Sequence, residues 1–214
     1  MAERALRKKP EVRHAIRHYA RTAYTEAILE TAERLFLRSG YHEAKMADLA
    51  EAAGVAVGTL YKYFASKEEV FASLAARGRE QVFAILSESA KLSDPGERLR
   101  AIVERSFAYM EERGALFAVY VQLGALTEAH IRSMGGPDCD QAFGEFVTAL
   151  ESVFIAGVKG GQFRGDVPPE VLAATFAGAM NATLFSWIRS DRRYSLTGRA
   201  SPLLDLFLEG ARAR

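Results

Sequence analysis

A chain of 214 residues that is 49% hydrophobic and 26% charged carries enough apolar material for one large or two small cores, which excludes disorder as the default. Prolines number only six and alternating runs of Val, Ile and Thr are missing, so the expected fold class is all-α. The net charge of +1 says nothing by itself about nucleic acid, while the lone Cys139 rules out a disulfide framework or a cysteine metal site within one chain and suits a reducing, cytoplasmic compartment.

The charge is uneven along the chain. Residues 1–21 hold Arg4, Arg7, Lys8, Lys9, Arg13, Arg17 and Arg21 against Glu3 and Glu11, a net of +5 that leaves −4 for the remainder. Such a basic arm reads as a polyanion-seeking extension, with a solvated terminus as the alternative, and its scattered charges are unlike a secretory signal. Next, Ile28, Leu29, Ala32, Leu35 and Phe36 recur at helical spacing up to the stop signal Gly40. A short helix is expected over 46–53, broken by Gly54, and a second over 57–64. Ser66 and Glu69 form the two ends of a capping box that opens a long connector carrying Val70, Phe71, Leu74, Val82, Phe83, Ile85 and Leu86.

Asp94-Pro95-Gly96-Glu97 is a second start signal, followed by the apolar face of Leu99, Ile102, Val103, Phe107 and Met110. A nearly uncharged helix over 116–126 and a Gly135-Gly136-Pro137 loop come next. Phe143, Phe146, Val147, Leu150, Val153, Phe154 and Val158 then make a helix that Gly160-Gly161 stops. Pro168-Pro169 opens a helix whose stretch from Val171 to Ile188 has no charge. Its polar Thr175, Asn181, Thr183 and Ser186 and its many small residues point to a helix buried on most sides, not to a membrane span. Ser201-Pro202 starts the last helix, with Leu203, Leu204, Phe207 and Leu208. The total is about nine helices in three parts: a basic arm (1–21), a head of short helices (22–68) and a larger body (69–214).

The stretch AGVAVGTLYKYFASKEE, residues 53–69, carries the functional reading. In a helix-turn-helix that begins at Met46, Leu49 and Ala50 face inward, Ala53 is small where the helices cross, Gly54 takes the turn at positive φ and Val55 plugs behind it. Val57 and Gly58 then open the second helix. Glycine in a helix costs roughly 0.5–1 kcal/mol against alanine. Gly58 is explained if the bare turn must approach a DNA backbone in the major groove. Thr59 offers a methyl for thymine, Lys62 reaches guanine acceptors or a phosphate, Tyr61 and Tyr63 donate hydroxyls to phosphates, and Lys67 adds charge at the next helix start. The alternatives are that Tyr61 and Tyr63 pack on the first helix and that Lys62 and Lys67 are simply solvated.

Gly40-Tyr41, the run ADLAEAAGVAVGTLYKYFASKEEVF from Ala47 to Phe71 and the basic arm ahead of them resemble the TetR family of bacterial transcriptional regulators. The resemblance is specific over roughly residues 25 to 71. It implies a three-helix DNA-binding head, a helical ligand-binding body, and a homodimer that represses transcription until a small molecule releases it. This chain departs from the family pattern in two places. Ala44-Lys45 stands where a threonine pair is common, so the Lys45 ammonium is expected to replace a hydroxyl contact, and Ala56 replaces a serine that would cap the recognition helix.

In the penultimate helix Ala174, Gly178, Ala182 and Ser186 lie four apart as one ridge of small residues, which permits close helix crossing. With Leu203 and Phe207 of the last helix, two copies make a four-helix interface, a reading that competes with packing inside one chain. For a ligand, Phe107, Met110, Phe117, Tyr120, Gln122 and Asn181 would line an apolar pocket with a few hydrogen-bonding points, against the alternative that each fills the core. The expected partners are therefore an operator duplex, a second copy and a small hydrophobic effector such as a drug, an aromatic or an acyl thioester, with no cofactor and no metal. An enzyme is not expected, because His14, His18, His42 and His130 show no metal-ligand spacing and no GxSxG elbow occurs. The other reading carried forward is a helical ligand-binding or scaffold dimer whose head no longer binds DNA specifically.

Overall fold

The structure, a computed structural model, describes residues 2–113 and 138–211, with side chains described from residue 19 onward except at 138–143 and 211. Among the described residues it has eight α-helices and one 3-10 turn: α1 (Ala2–Ser39), α2 (Met46–Ala52), α3 (Val57–Leu60), α4 (Lys67–Ser89), α5 (Pro95–Glu112), α6 (Asp138–Lys159), α7 (Pro169–Arg189), the 3-10 turn (Thr197–Arg199) and α8 (Ala200–Ala211). The helix expected over 116–126 and the Gly135-Gly136 loop lie outside the described residues.

Compactness divides the chain into two units, between Leu74 and Ala75 inside α4. The first unit is built on α1. Its start differs from expectation, since the helix runs back to Ala2 in place of a separate arm. Ala20, Ala23, Glu26 and Ala27 are strong helix formers, so nothing between the basic segment and the apolar stripe stops the helix. Ile28, Leu29, Ala32, Leu35 and Phe36 form its buried stripe, Gly40 ends it at φ +80°, and Leu49, Ala50, Leu60, Phe64, Val70, Phe71 and Leu74 close the core. Each large apolar side chain buried this way contributes about 1.5–3 kcal/mol. Tyr41 sits in that core, its ring 5.2 Å from Phe36 and 5.3 Å from Phe71.

The second unit collects α5 to α8. Asp94 caps α5 by accepting from the Glu97 amide at 2.8 Å, with Pro95 in the first turn. Leu99, Ile102, Val103 and Phe107 then face a core shared with Leu150, Val153 and Phe154 of α6, Leu172, Phe176 and Trp187 of α7, and Leu203 and Leu204 of α8. Phe154 lies within 6.0 Å of Phe163, Phe176 and Phe207, ring centre to ring centre. Gly157 makes room for this, because a Cβ there would stand 2.1 Å from the Phe163 ring.

By length and composition α7 could cross a membrane, yet it serves as a core helix of this unit. It is not buried on most sides in the single chain. Leu172, Ala173, Phe176, Ala177, Met180, Leu184 and Trp187 are covered, whereas Val171, Ala174, Thr175, Gly178, Ala182 and Ser186 face outward. Small residues expose little apolar area whichever way they point, so composition alone does not separate the two faces.

Candidate nucleic-acid interface

Local signals set the two short helices. Lys45, with extended backbone at φ −105° and ψ 156°, precedes α2, and its amide donates to Asp48 Oδ2 at 3.0 Å. A lysine side chain has no acceptor, so only this half of a capping box forms and the Lys45 ammonium stays in solvent. At the other end the Val55 amide donates to the Ala50 carbonyl at 2.9 Å and the Gly54 amide to the Glu51 carbonyl at 3.0 Å. This is a Schellman closure, and Gly54 provides the positive φ of +68° that it requires. Ala56 precedes α3 and offers no side-chain acceptor, as its identity dictates.

α3 itself is four residues long, shorter than expected, but hydrogen bonds carry the coil on to Phe64 through Tyr61 to Val57, Tyr63 to Leu60 and Phe64 to Leu60. Leu60 and Phe64 are buried and fix the inner face. The outer face presents Val57, Gly58, Tyr61 and Lys62, with Val57 43% and Tyr61 51% exposed. A Cβ built on Gly58 would meet nothing within 4 Å, so the chain itself leaves that turn bare. Thr59 is half-buried beside it.

Two expected contacts sit differently. Tyr63 is half-buried and stacks on Tyr24 of α1, ring centres 6.0 Å apart at 25°, so packing on the first helix is realised. Lys67 points inward: its Nζ donates to the carbonyls of Tyr41 (2.7 Å), Ala44 (3.0 Å) and His42 (3.1 Å) and lies 4.4 Å from the centre of the Tyr41 ring. An ammonium has three N–H donors, and all three are used. Beside it the Tyr41 hydroxyl donates to Glu68 Oε1 at 3.3 Å. Burial, with the Glu68 charge and hydrogen bond behind it, pushes the Tyr41 phenol up to about 12. The Glu68 carboxyl is held below its usual range by its own backbone amide first and by the Ser66 hydroxyl next. Sequence reasoning missed Tyr41, Glu68 and Tyr24 as participants; Gly40-Tyr41 stood out only through the family resemblance.

An open groove of about 530 Å³ in the first unit is lined by Arg34, Arg38, Asp48 and Glu51 among others, a mixed charge poorly suited to an apolar ligand. In the second unit, Phe107 is fully buried, Met110 packs against the core and Asn181 is half-buried. Phe117, Tyr120 and Gln122 lie outside the described residues. The Ser106 hydroxyl, one residue from Phe107, is buried without a hydrogen-bond partner among the described residues. Of the residues assigned to a dimer face, Ala174, Gly178, Ala182 and Ser186 are exposed. Leu203 and Phe207 pack in their own chain's core, Phe207 at 4.8 Å from the Phe176 ring, while the same helix turns Leu206 outward with 78% of its surface free. Among the described residues no cluster of His, Cys, Asp or Glu could hold a metal ion.

Residues 28–74 match the family model for bacterial regulatory proteins of the tetR family, and residues 92–211 match that of the tetracyclin repressor-like C-terminal domain. The chain is 23% identical over 188 residues to the fatty acid metabolism regulator protein of Bacillus subtilis, covering 86% of this chain and 93% of that one. It is 27% identical over 184 residues to the HTH-type transcriptional repressor KstR2 of Rhodococcus jostii, covering 86% and 88%. Among solved structures, the fatty acid degradation regulator FadR from Bacillus halodurans superposes with a TM-score of 0.75 at 26% identity, over 89% of this chain and 97% of that chain.

Proposed function

Because the chain belongs to the tetR family of bacterial regulatory proteins, and is a transcriptional regulator and not an enzyme, we propose that it binds a palindromic operator as a homodimer and represses transcription until a small hydrophobic effector releases it. The observation that carries the reading is the outer face of α3, where a Cβ at Gly58 would meet nothing within 4 Å while Val57, Tyr61 and Lys62 stand in solvent. A bare turn lets α3 seat deeply in the major groove. Lys62 then reads guanine acceptors, the Thr59 methyl meets a thymine methyl, and Tyr61 and the Lys45 ammonium hold phosphates. Tyr63 supports this set from behind by fixing α3 on α1.

Two copies joined through the α7 ridge would present two α3 helices to half-sites about 34–36 Å apart, or a multiple of that distance. For the effector, acyl thioesters come first, since relatives aligned over most of this chain are regulators of fatty acid metabolism or degradation. The uncharged α5 stripe around Phe107 and Met110 suits an acyl chain. Release is a population shift in which the effector favours a dimer state with wrongly spaced heads, a coupling typically of about 1–3 kcal/mol. α4, which runs through the division between the two units, is the lever. The protein works in the cytoplasm with its DNA.

The test is titration against the DNA upstream of its own gene at two salt concentrations, with and without acyl-CoA. Nanomolar binding with a steep salt slope, preference for an inverted repeat and weakening by acyl-CoA are expected. Flat, sequence-blind binding would instead favour a scaffold dimer whose head has lost specificity.

A further inference from the structure

Lys67 has the sequence position of a phosphate ligand and the geometry of something else. Its ammonium is encircled by three carbonyls of one short loop, at 2.7, 3.0 and 3.1 Å, with the Tyr41 ring as a fourth side. Those carbonyls belong to Tyr41, His42 and Ala44, the link between the end of α1 and Lys45, the residue that opens α2. The tie is reinforced next door by the hydroxyl of Tyr41 on Glu68, and Tyr41 is itself anchored between Phe36 and Phe71. All these residues lie in the first compact unit.

We infer that Lys67 is a positioning residue for operator binding: by pinning the first turn of α4 to the loop from Tyr41 to Ala44, it sets where α2 begins and so where Lys45 and α3 meet the duplex. The inference rests on the DNA-binding reading above. Its physical basis is saturation. A lysine whose three donors are satisfied by carbonyls has none left for a phosphate, and withdrawing it to reach one would leave three carbonyls without their shared cation. The pin acts on α2 because the loop between is short. Ala44 is buried, and its amide donates to the Gly40 carbonyl at 3.3 Å, so little slack separates the pinned carbonyls from Lys45.

A phosphate ligand and a pin respond differently to substitution. Lys67→Met keeps the apolar stem and deletes the charge; Lys67→Arg keeps the charge but replaces a compact three-donor head with a flat fork that three converging carbonyls do not fit. Operator affinity of the full-length protein is measured across a salt series, at a temperature where circular dichroism shows each variant folded. The pin predicts that both variants bind about tenfold more weakly, with the slope of log K against log salt unchanged. A slope reduced by about 0.9 for each phosphate lost in Lys67→Met, together with normal affinity in Lys67→Arg, would identify a phosphate ligand and overturn the inference. Unchanged affinity in both folded variants would overturn it as well, leaving a brace for stability alone. If the wild-type protein itself shows no operator preference, it is the DNA-binding reading that fails; failure of the pin requires a wild-type protein that binds.

Discussion

At the scale of single residues, Gly58 separates stability from function. Its position would accept a Cβ without contact, and alanine is the better helix former, so Gly58→Ala should fold normally and gain up to about 0.5–1 kcal/mol. The same methyl stands between α3 and the groove, so operator affinity should drop by about tenfold; a thermal melt and a gel shift on one preparation read both. A variant that gains stability and keeps full affinity would show that nothing approaches the turn. Tyr41 gives a pH test of the first unit. Its phenol is raised from 10.0 to about 12, so the neutral form is favoured in the fold. Its contribution is therefore complete below pH 10.0 and is lost as the pH climbs toward about 12. Urea midpoints over that range should fall more steeply for the wild type than for Tyr41→Phe, which has no proton to lose.

At the scale of elements, the clearest tie in the second unit runs from the end of α5 to the start of the 3-10 turn ahead of α8. Glu111 accepts from the amides of Thr197 (3.0 Å) and Leu196 (3.2 Å) and from the Ser195 hydroxyl (3.4 Å). Burial pushes its carboxyl up, but the Thr197, Ser195 and Leu196 hydrogen bonds outweigh that and leave it below the usual range. The bonds are present when the carboxylate is charged, so their contribution is complete above the ordinary glutamate range and is lost as the pH falls from that range through the lowered value in the fold. Glu111→Ala should lower stability by about 1–2 kcal/mol at neutral pH, read as a drop of roughly 2–4 °C in Tm per kcal/mol, and the deficit should shrink in acid. A deficit that persists in acid would assign the loss to packing. This tie was invisible beforehand for the same reason as the Lys67 pin. Asp94 at the Glu97 amide, or Ser66 with Glu69, satisfy backbone groups within four residues, so a window of sequence contains donor and acceptor together. Glu111 finds its partners 84 to 86 residues away and Lys67 finds its own 23 to 26 residues back, in segments without periodicity. The helix-turn-helix was legible because Leu49, Ala50, Gly54 and Leu60 act through local geometry. Leu203, Leu206 and Phe207 illustrate the limit within one helix: all are apolar, and only tertiary packing decides which of them turns outward.

At the scale of the whole molecule, the exposed ridge of α7 decides whether the proposed operator geometry exists. Ala174, Gly178, Ala182 and Ser186 face outward with Val171 and Thr175, and α8 adds Leu206, 78% exposed. Two such faces meeting about a twofold axis would bury small residues against small residues at close helix separation, each copy offering the same patch to the other. A charge at the centre of the ridge would meet its own copy across the axis, and like charges brought together away from water are strongly unfavourable. Gly178→Glu is the sharpest version, because a Cβ at that position meets nothing within 4 Å and the chain itself has no reason to object. Circular dichroism should match the wild type, while sedimentation should show a monomer. Operator affinity should then fall by about 10²–10⁴, the advantage that a second linked α3 supplies by effective concentration. A folded variant that remains dimeric would move the interface elsewhere on the body. A monomer that holds the operator as tightly as the wild type would separate DNA binding from dimerisation altogether, because one half-site contact would then carry the whole affinity.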